Sequence, residues 1–332
     1  MKRSMKSLAV ILAVIALLSA SSITSANVWL NSTDYGVNFR GAMAAAHTSG
    51  DVIEFRDNNT YVMWSTDNPQ TDFDFHTPNV TVRSAVGYKA TIEDRTNGMT
   101  GAFHIDAPNV TFENLVFKNI PYLPGNVPLP YGKYGTYVFS FYLNSGGNYL
   151  GQGLTVRNVD FYNVRGVIEA GSPYVKDLTF VDNLVDNTDY GLGKSGMNYG
   201  IGSTVITGNT FINNGTMDDK TAPREAAINI ESNLGTLLID DNTFTYNFNA
   251  EGQYAIYSGA DLSAHPITLG TNDFGTGIGG SGAPYELYDL LGGGHAVGLQ
   301  NAGSVVPEPA TMALLAAGGI ATLLRRRRSS KK

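Results

Sequence analysis

Asparagine recurs at one register in four successive segments of this chain, and that recurrence restricts the fold more than any other feature. The segments are DLTFVDNLVDN (177–187), STVITGNTFINN (203–214), GTLLIDDNTFTYN (235–247) and PITLGTNDFGT (266–276). Each has a short apolar strand, a polar corner, an apolar anchor and further polar residues. Asn183, Asn209, Asn242 and Asn272 stand two residues before the anchors Val185, Phe211, Phe244 and Phe274. Two earlier segments, NVTFENLVFKN (109–119) and GLTVRNVDFYN (153–163), share the pattern with anchors Phe117 and Phe161 but lack the asparagine. NVTVRSAVG (79–87) is a weaker copy. Anchor spacings of 44, 24, 26, 33 and 30 suit a solenoid whose loops vary in length. Asparagine tolerates left-handed backbone and bonds to nearby main chain. Stacked from coil to coil, such residues predict an amide ladder inside a turn.

A second short strand precedes most copies: AFHID (102–106), TYVFSF (136–141), GVIEA (166–170), AAINIE (226–231) and YAIYS (254–258). Alternation places Ile105, Ile168, Ile228 and Ile230 inward. Several short strands per repeat predict an all-β parallel β-helix, with coils about 4.8 Å apart. An antiparallel sandwich of short strands does not explain the asparagine register. VNFRGAMAAAHTSG (37–50) reads as an amphipathic helix stopped at Gly50 and followed by the first strand, Val52-Ile53-Glu54-Phe55. A helix there would cover the open first coil.

With these residues in place, the chain resembles the pectin-lyase-like right-handed parallel β-helix family over roughly residues 36–276. The resemblance rests on NFRGAMAAAHTSGDVIEFRDNNTYVM, NVTVRSAVGYKATI and the repeats. It implies a right-handed solenoid with an N-terminal capping helix. The family spans polysaccharide lyases, glycoside hydrolases, epimerases and non-catalytic surface proteins. Its lyases imply calcium-binding acids and a basic catalytic residue on one outer face, and no lyase motif can be matched here residue by residue.

The termini set the compartment. Lys2, Arg3 and Lys6 precede the apolar stretch Leu8–Leu18, and Thr24-Ser25-Ala26 offers a cleavage site, so residues 1–26 read as a signal peptide cut by signal peptidase. There is no cysteine, so an exported chain must be held by burial and hydrogen bonds alone. At the other end stands VPEPATMALLAAGGIATLLRRRRSSKK (306–332). Pro307-Glu308-Pro309, an apolar run of about fifteen residues and Arg325, Arg326, Arg327 and Arg328 resemble the PEP-CTERM sorting signal. The resemblance implies a C-terminal sorting helix, transient insertion in the inner membrane, and recognition by an exosortase. It also implies processing of the tail and placement outside, or on the surface of, a Gram-negative-type bacterium that makes exopolysaccharide. Residues 27–276 form the solenoid domain, and 277–305 a Gly-rich linker in which ELYDLL (286–291) reads as a short covering helix.

The formal charge of −7 conceals an asymmetry. Nine of the 22 Lys and Arg belong to the two terminal signals, leaving 13 against 28 Asp and Glu in residues 27–306. A body so acidic is not a nucleic-acid partner. An anionic polysaccharide would need a local basic groove or bridging calcium, the one candidate cofactor.

Alternation also nominates site residues. With Ile105, Ile168 and Ile230 inward, Asp106, Glu169 and Glu231 are expected outward on one sheet, in alternate coils. Arg165, Arg224 and Glu225 lie just upstream of two of these strands, making a candidate sugar, calcium or catalytic site; a solvated polar face is the simpler explanation. Tyr122, Tyr131, Tyr134 and Tyr137 fall in the longest insertion between repeats and are candidates for stacking on sugar rings, or for packing that loop on itself. His47, His76, His104, His265 and His295 show no zinc spacing. The expectation is an exported, polysaccharide-associated, non-catalytic surface or matrix protein. The alternatives are a polysaccharide lyase or glycoside hydrolase, and an adhesive protein without a glycan ligand.

Overall fold

The computed structural model describes residues 28–30, 46, 48–62, 73–93, 103–120, 137–141, 152–169, 175–188, 191–199, 202–212, 214, 226–233, 235–245, 255–258, 267–273, 287–289 and 295–297. Most of the proposed capping helix, most of the long insertion and both terminal signals lie outside them.

The chain is an all-β, right-handed parallel β-helix. An initial strand, β1 (Val28–Leu30), lies beside the first coil, β2 (Val52–Phe55), β3 (Thr60–Val62) and β4 (Phe73–Phe75). The second and third coils are β5 (Thr81–Ser84), β6 (Thr91–Glu93), β7 (Phe103–Ile105) and β8 (Thr111–Glu113), β9 (Val116–Lys118), β10 (Tyr137–Ser140). The fourth and fifth are β11 (Thr155–Arg157), β12 (Asp160–Tyr162), β13 (Gly166–Glu169) and β14 (Thr179–Val181), β15 (Leu184–Asp186), β16 (Leu192–Tyr199). The sixth and seventh are β17 (Ser203–Thr207), β18 (Thr210–Ile212), β19 (Ile228–Asn233) and β20 (Thr236–Asp240), β21 (Thr243–Thr245), β22 (Ile256–Ser258). An eighth keeps β23 (Ile267–Leu269), a bridge from Thr243 to Asp273, and β24 (Leu287–Asp289), before β25 (His295–Val297) turns back antiparallel.

The first sheet joins nine strands from β1 to β23 and the second joins seven from β3 to β21. The third face is split into β4-β7-β10-β13 and β16-β19-β22-β24-β25, linked where Val167 donates its N–H to Gly191 O at 2.9 Å. Two expectations change here. β1, not Val52–Phe55, is the first strand. Residues 287–289 form a strand rather than part of a helix, because β22 offers them a parallel edge.

Strand alternation fills the interior. In the first sheet the inward row runs Ile53, Val82, Phe112, Val156, Phe180, Ile206 and Ile239. The second sheet's inward row runs Tyr61, Ile92, Phe117, Phe161, Val185, Phe211 and Phe244. All fourteen are buried. Ring size is balanced between the two rows. The fourth coil pairs Val156 with Phe161, and the fifth reverses the sizes with Phe180 and Val185. Phe180 therefore continues the aromatic stack across the gap left by Val185, 6.1 Å from Phe161 and 6.5 Å from Phe211. Phe211 and Phe244 then stack at 5.1 Å with 7° between planes.

The corner between the first and second sheets carries the asparagines. Each ladder Nδ2 donates to the next Oδ1: Asn183 to Asn209 (3.0 Å), Asn209 to Asn242 (2.9 Å) and Asn242 to Asn272 (3.0 Å). The same oxygens accept the main-chain N–H of Asn183, Asn209 and Asn242. Nδ2 also donates to a carbonyl in the preceding coil: Val156, Phe180, Ile206 and Ile239 in turn. Every rung is buried and bonded, as buried polar groups must be. The left-handed residue is not the ladder asparagine but its predecessor: Asp182 (φ 55°), Gly208 (φ 67°) and Asp241 (φ 53°). The corner needs one residue to turn and the next to point in.

In the earlier coils the inward corner position is Ala90, Leu115 and Val159, all fully buried. The corner after the second sheet changes character at the same coil. There Ile120 and Val164 are followed by Thr188 and Asn214, with Thr188 Oγ1 donating to Asn214 Oδ1 at 2.6 Å. The inward corner positions are thus aliphatic in the first half of the solenoid and polar in the second, while the outward asparagines bond from coil to coil in the first half as well, Asn158 to Asn114 and Asn163 to Asn119.

Candidate functional site on the third face

Connection lengths point to one face. From the third coil to the seventh, first- and second-sheet strands are joined by two residues, as at Asn114-Leu115 and Asp241-Asn242. Connections into the third face are long in several coils: residues 119–136, 213–227 and 246–255. Loops of this length on a rigid scaffold are where binding concentrates. Burial agrees with a covered face. Tyr137, Val138, Phe139 and Ser140 are all buried, as are Ile256, Tyr257 and Ser258, so both faces of β10 and β22 are out of water.

Register assembles a polar row on this face. Asp74 lies opposite His104, His104 opposite Ser140, and Ser140 opposite Glu169. One step along, His76 Nδ1 is 3.2 Å from Asp106 Oδ2. Ser140 Oγ donates to Phe103 O at 3.5 Å. Arg165, 9% exposed, precedes β13 and donates its N–H to Ile120 O at 3.0 Å.

The candidates do not fall as one evenly spaced set. Phe103, not Ile105, shares its row with Ile168, through Phe139. Asp106 therefore sits two residues beyond the row of Glu169. Glu231 lies where Ile230 pairs with Met197 and Ser232 with Asn198, so it is the extra residue of a bulge. Tyr137 is a correction: it is fully buried in β10, so its ring offers no platform for sugar. Tyr122, Tyr131, Tyr134, Arg224 and Glu225 lie outside the described residues. So do Pro307, Glu308, Pro309 and Arg325–Arg328, and no helix among the described residues is long and apolar enough to cross a membrane.

His76 and His104 show no pattern within one segment because they belong to successive coils. The signal was the pair DFHTPNV (74–80) and HIDAPNV (104–110), which superpose at an interval of 30.

Elsewhere the surface is built for coil-to-coil pairing. On the first sheet Glu54, Arg83, Glu113 and Arg157 alternate in charge along one row. Arg83 Nη2 is 2.8 Å from Glu54 Oε2, Arg83 Nη1 is 3.5 Å from Glu113 Oε1, and Arg157 pairs with Glu113. On the second sheet Tyr162 lies opposite Asp186 and beyond Asp160; burial, then the charges of Asp160 and Asp186, raise its phenol above the usual 10.0.

Residues 305–328 match the family described as the PEP-CTERM protein-sorting motif. No curated protein matches the chain. Among solved structures, a PL6 family alginate lyase, AlyGC, is similar at 12% identity and a TM-score of 0.37. That match covers 74% of this chain and 39% of the lyase chain, so this chain spans well under half of that structure's length.

Proposed function

We propose that the chain is an exported, exosortase-processed β-helix protein of the cell surface or extracellular matrix that associates with polysaccharide without cleaving it. The observation that carries this is the sorting motif at 305–328, at the opposite end from a basic-then-apolar leader. The apolar run between Pro309 and Arg325 falls short of the roughly 20 residues a stable span needs. Four arginines hold its far end on the cytoplasmic side. Such a segment suits a stage in export, after which the acidic solenoid stays outside. The long connections into the covered third face are the part that would meet a glycan.

Expression in a bacterium with and without its exosortase tests the first half. Loss of a tail of about 25 residues, seen by intact mass, should depend on the exosortase and on Pro307-Glu308-Pro309. Identical masses in both strains would overturn it. Binding of the purified chain to a glycan array, with no release of reducing ends or unsaturated uronate, tests the second half.

A lyase or hydrolase is the second reading, favoured by the row that joins His104 and Glu169 beside the buried Arg165. Turnover of a uronate polysaccharide, with or without calcium, and lost in Glu169→Ala, would establish it instead. An adhesive protein without a glycan ligand predicts a blank array.

A further inference from the structure

The outer surface of the first sheet carries its charge in one row. Register sets Glu54 beside Arg83, Arg83 beside Glu113 and Glu113 beside Arg157, one residue per coil. Val181 follows in the fifth coil and closes the row. Arg83 reaches a carboxylate on each side, Glu54 and Glu113, whereas Arg157 has Glu113 on one side and Val181 on the other. The Arg83 and Arg157 side chains are 40% and 59% exposed, against 8% and 15% for Glu54 and Glu113, so the guanidinium groups stand outermost. Two residues away on the same outer face runs a column of half-buried threonines, Thr81, Thr111, Thr155 and Thr179. Their short side chains leave a flat strip beside the charges.

We propose that this face is the contact between two copies of the chain, packed with their solenoid axes antiparallel. Read from its other end, the order Glu, Arg, Glu, Arg becomes Arg, Glu, Arg, Glu, so the row is its own complement. A two-fold axis parallel to the strands, between the second and third coils, sets Glu54 against Arg157 of the second copy and Arg83 against its Glu113. The same operation sets Thr81 against Thr111, so the flat strips meet and the sheets pack in the aligned manner. Every charge then has opposite neighbours both along its own sheet and across the contact. A two-fold along the row would instead set each charge against its like. An anionic polymer suits the row less well, because it would meet a carboxylate at every second coil. The row spans about 14 Å from Glu54 to Arg157 at ordinary strand spacing. So short a contact implies a transient dimer, with a dissociation constant on the order of micromolar. The third face lies outside it, and the proposal does not depend on the polysaccharide reading.

The test follows the full chain in detergent by analytical ultracentrifugation over a range of concentrations. A dimer is expected, and it should weaken as salt rises. Arg157→Glu sets like charges against each other at both ends of the contact and should weaken the dimer at least tenfold, with an unchanged circular-dichroism spectrum. The decisive variant inverts the whole row at once: Glu54→Arg, Arg83→Glu, Glu113→Arg and Arg157→Glu, with Arg56→Glu because Arg56 pairs with Glu54. Inversion keeps the pairing within the chain and with an identical copy, so this variant should dimerise like the parent. Parent and inverted chains would meet like on like, so differently tagged copies of the two should not form mixed dimers. Dimers held by the apolar tail would mix freely. A monomer at every concentration, free mixing, or a monomer that takes up a uronate polymer through Arg83 and Arg157 would each overturn the proposal. Where the inverted chain does not fold, Arg157→Glu decides, and an unweakened dimer would overturn it.

Discussion

Asn209 gives two hydrogens to the single side-chain oxygen of Asn242: its Nδ2 donates at 2.9 Å and its main-chain N–H at 3.0 Å. Its own Oδ1 serves Asn183 in the same way. Removing one rung therefore strands groups in the preceding coil. Asn209→Ala leaves the Asn183 N–H and Nδ2 and the Phe180 carbonyl without these partners, at about 1–3 kcal/mol for each group left unsatisfied. Asn209→Leu alone should cost nearly as much. Replacing Asn183, Asn209, Asn242 and Asn272 together by leucine should cost far less than the sum of four single changes, because Leu115 and Val159 already fill the same corner with aliphatic side chains. Urea unfolding of the single and fourfold variants checks this.

The exchange of sizes between Phe180 and Val185 predicts rescue. Val185→Phe adds a ring to a filled coil and should destabilise by about 1–3 kcal/mol. Phe180→Val breaks the stack between Phe161 and Phe211 and opens a cavity, again at a cost of a few kcal/mol, roughly as for other large-to-small core changes. The double variant copies the Val156 and Phe161 arrangement of the coil before it and should recover most of the loss. Additive penalties in thermal melts would contradict this account of the core.

Glycine at the corners is set by the coil before. A Cβ on Gly208 would collide with Asp182 Oδ1, and one on Gly202 would lie 2.6 Å from Asp177 Oδ1. Gly208→Ala should lower stability through both the collision and the left-handed backbone, the latter alone costing about 1–2 kcal/mol. Adding Asp182→Gly should restore only the part due to the collision. Paired chemical denaturation curves separate the two contributions.

Tyr162 predicts a pH dependence. Its phenol is raised above the usual 10.0 by burial and by Asp160 and Asp186, so the folded state holds this proton more tightly than the unfolded chain does. Stability from this group is intact below pH 10 and falls as pH rises through the folded value. Tyr162→Phe should therefore lose less stability than the parent chain above pH 10 and differ little in its pH profile below it. Parallel curves for the two proteins across that window would remove the assignment.

The register of Asn183, Asn209, Asn242 and Asn272 was readable because the corner there is two residues long and the anchors keep step with it. Its local chemistry was off by one position, since a sequence does not say which of two adjacent polar residues turns the chain and which points inward. The Thr188–Asn214 contact left no trace, because one pair of unlike residues makes no period. Tyr137 looked like part of a polar loop, and only the strand beneath showed it to be core. The row through Asp74, His104, Ser140 and Glu169 depends on connections of different lengths between neighbouring coils. No fixed spacing can reveal it.

The two-residue corner between the first and second sheets acts like the spine of a book. It holds each coil at one pitch and one angle, whatever happens at the opposite edge. Residues 121–136, beyond the buried Ile120, could be lengthened, shortened or replaced without moving Asn183 or Phe211 relative to their neighbours. Novelty in that connection is therefore free of structural consequence for the rest of the stack. A lineage carrying this scaffold can change what the molecule touches, page by page, while the binding stays sewn.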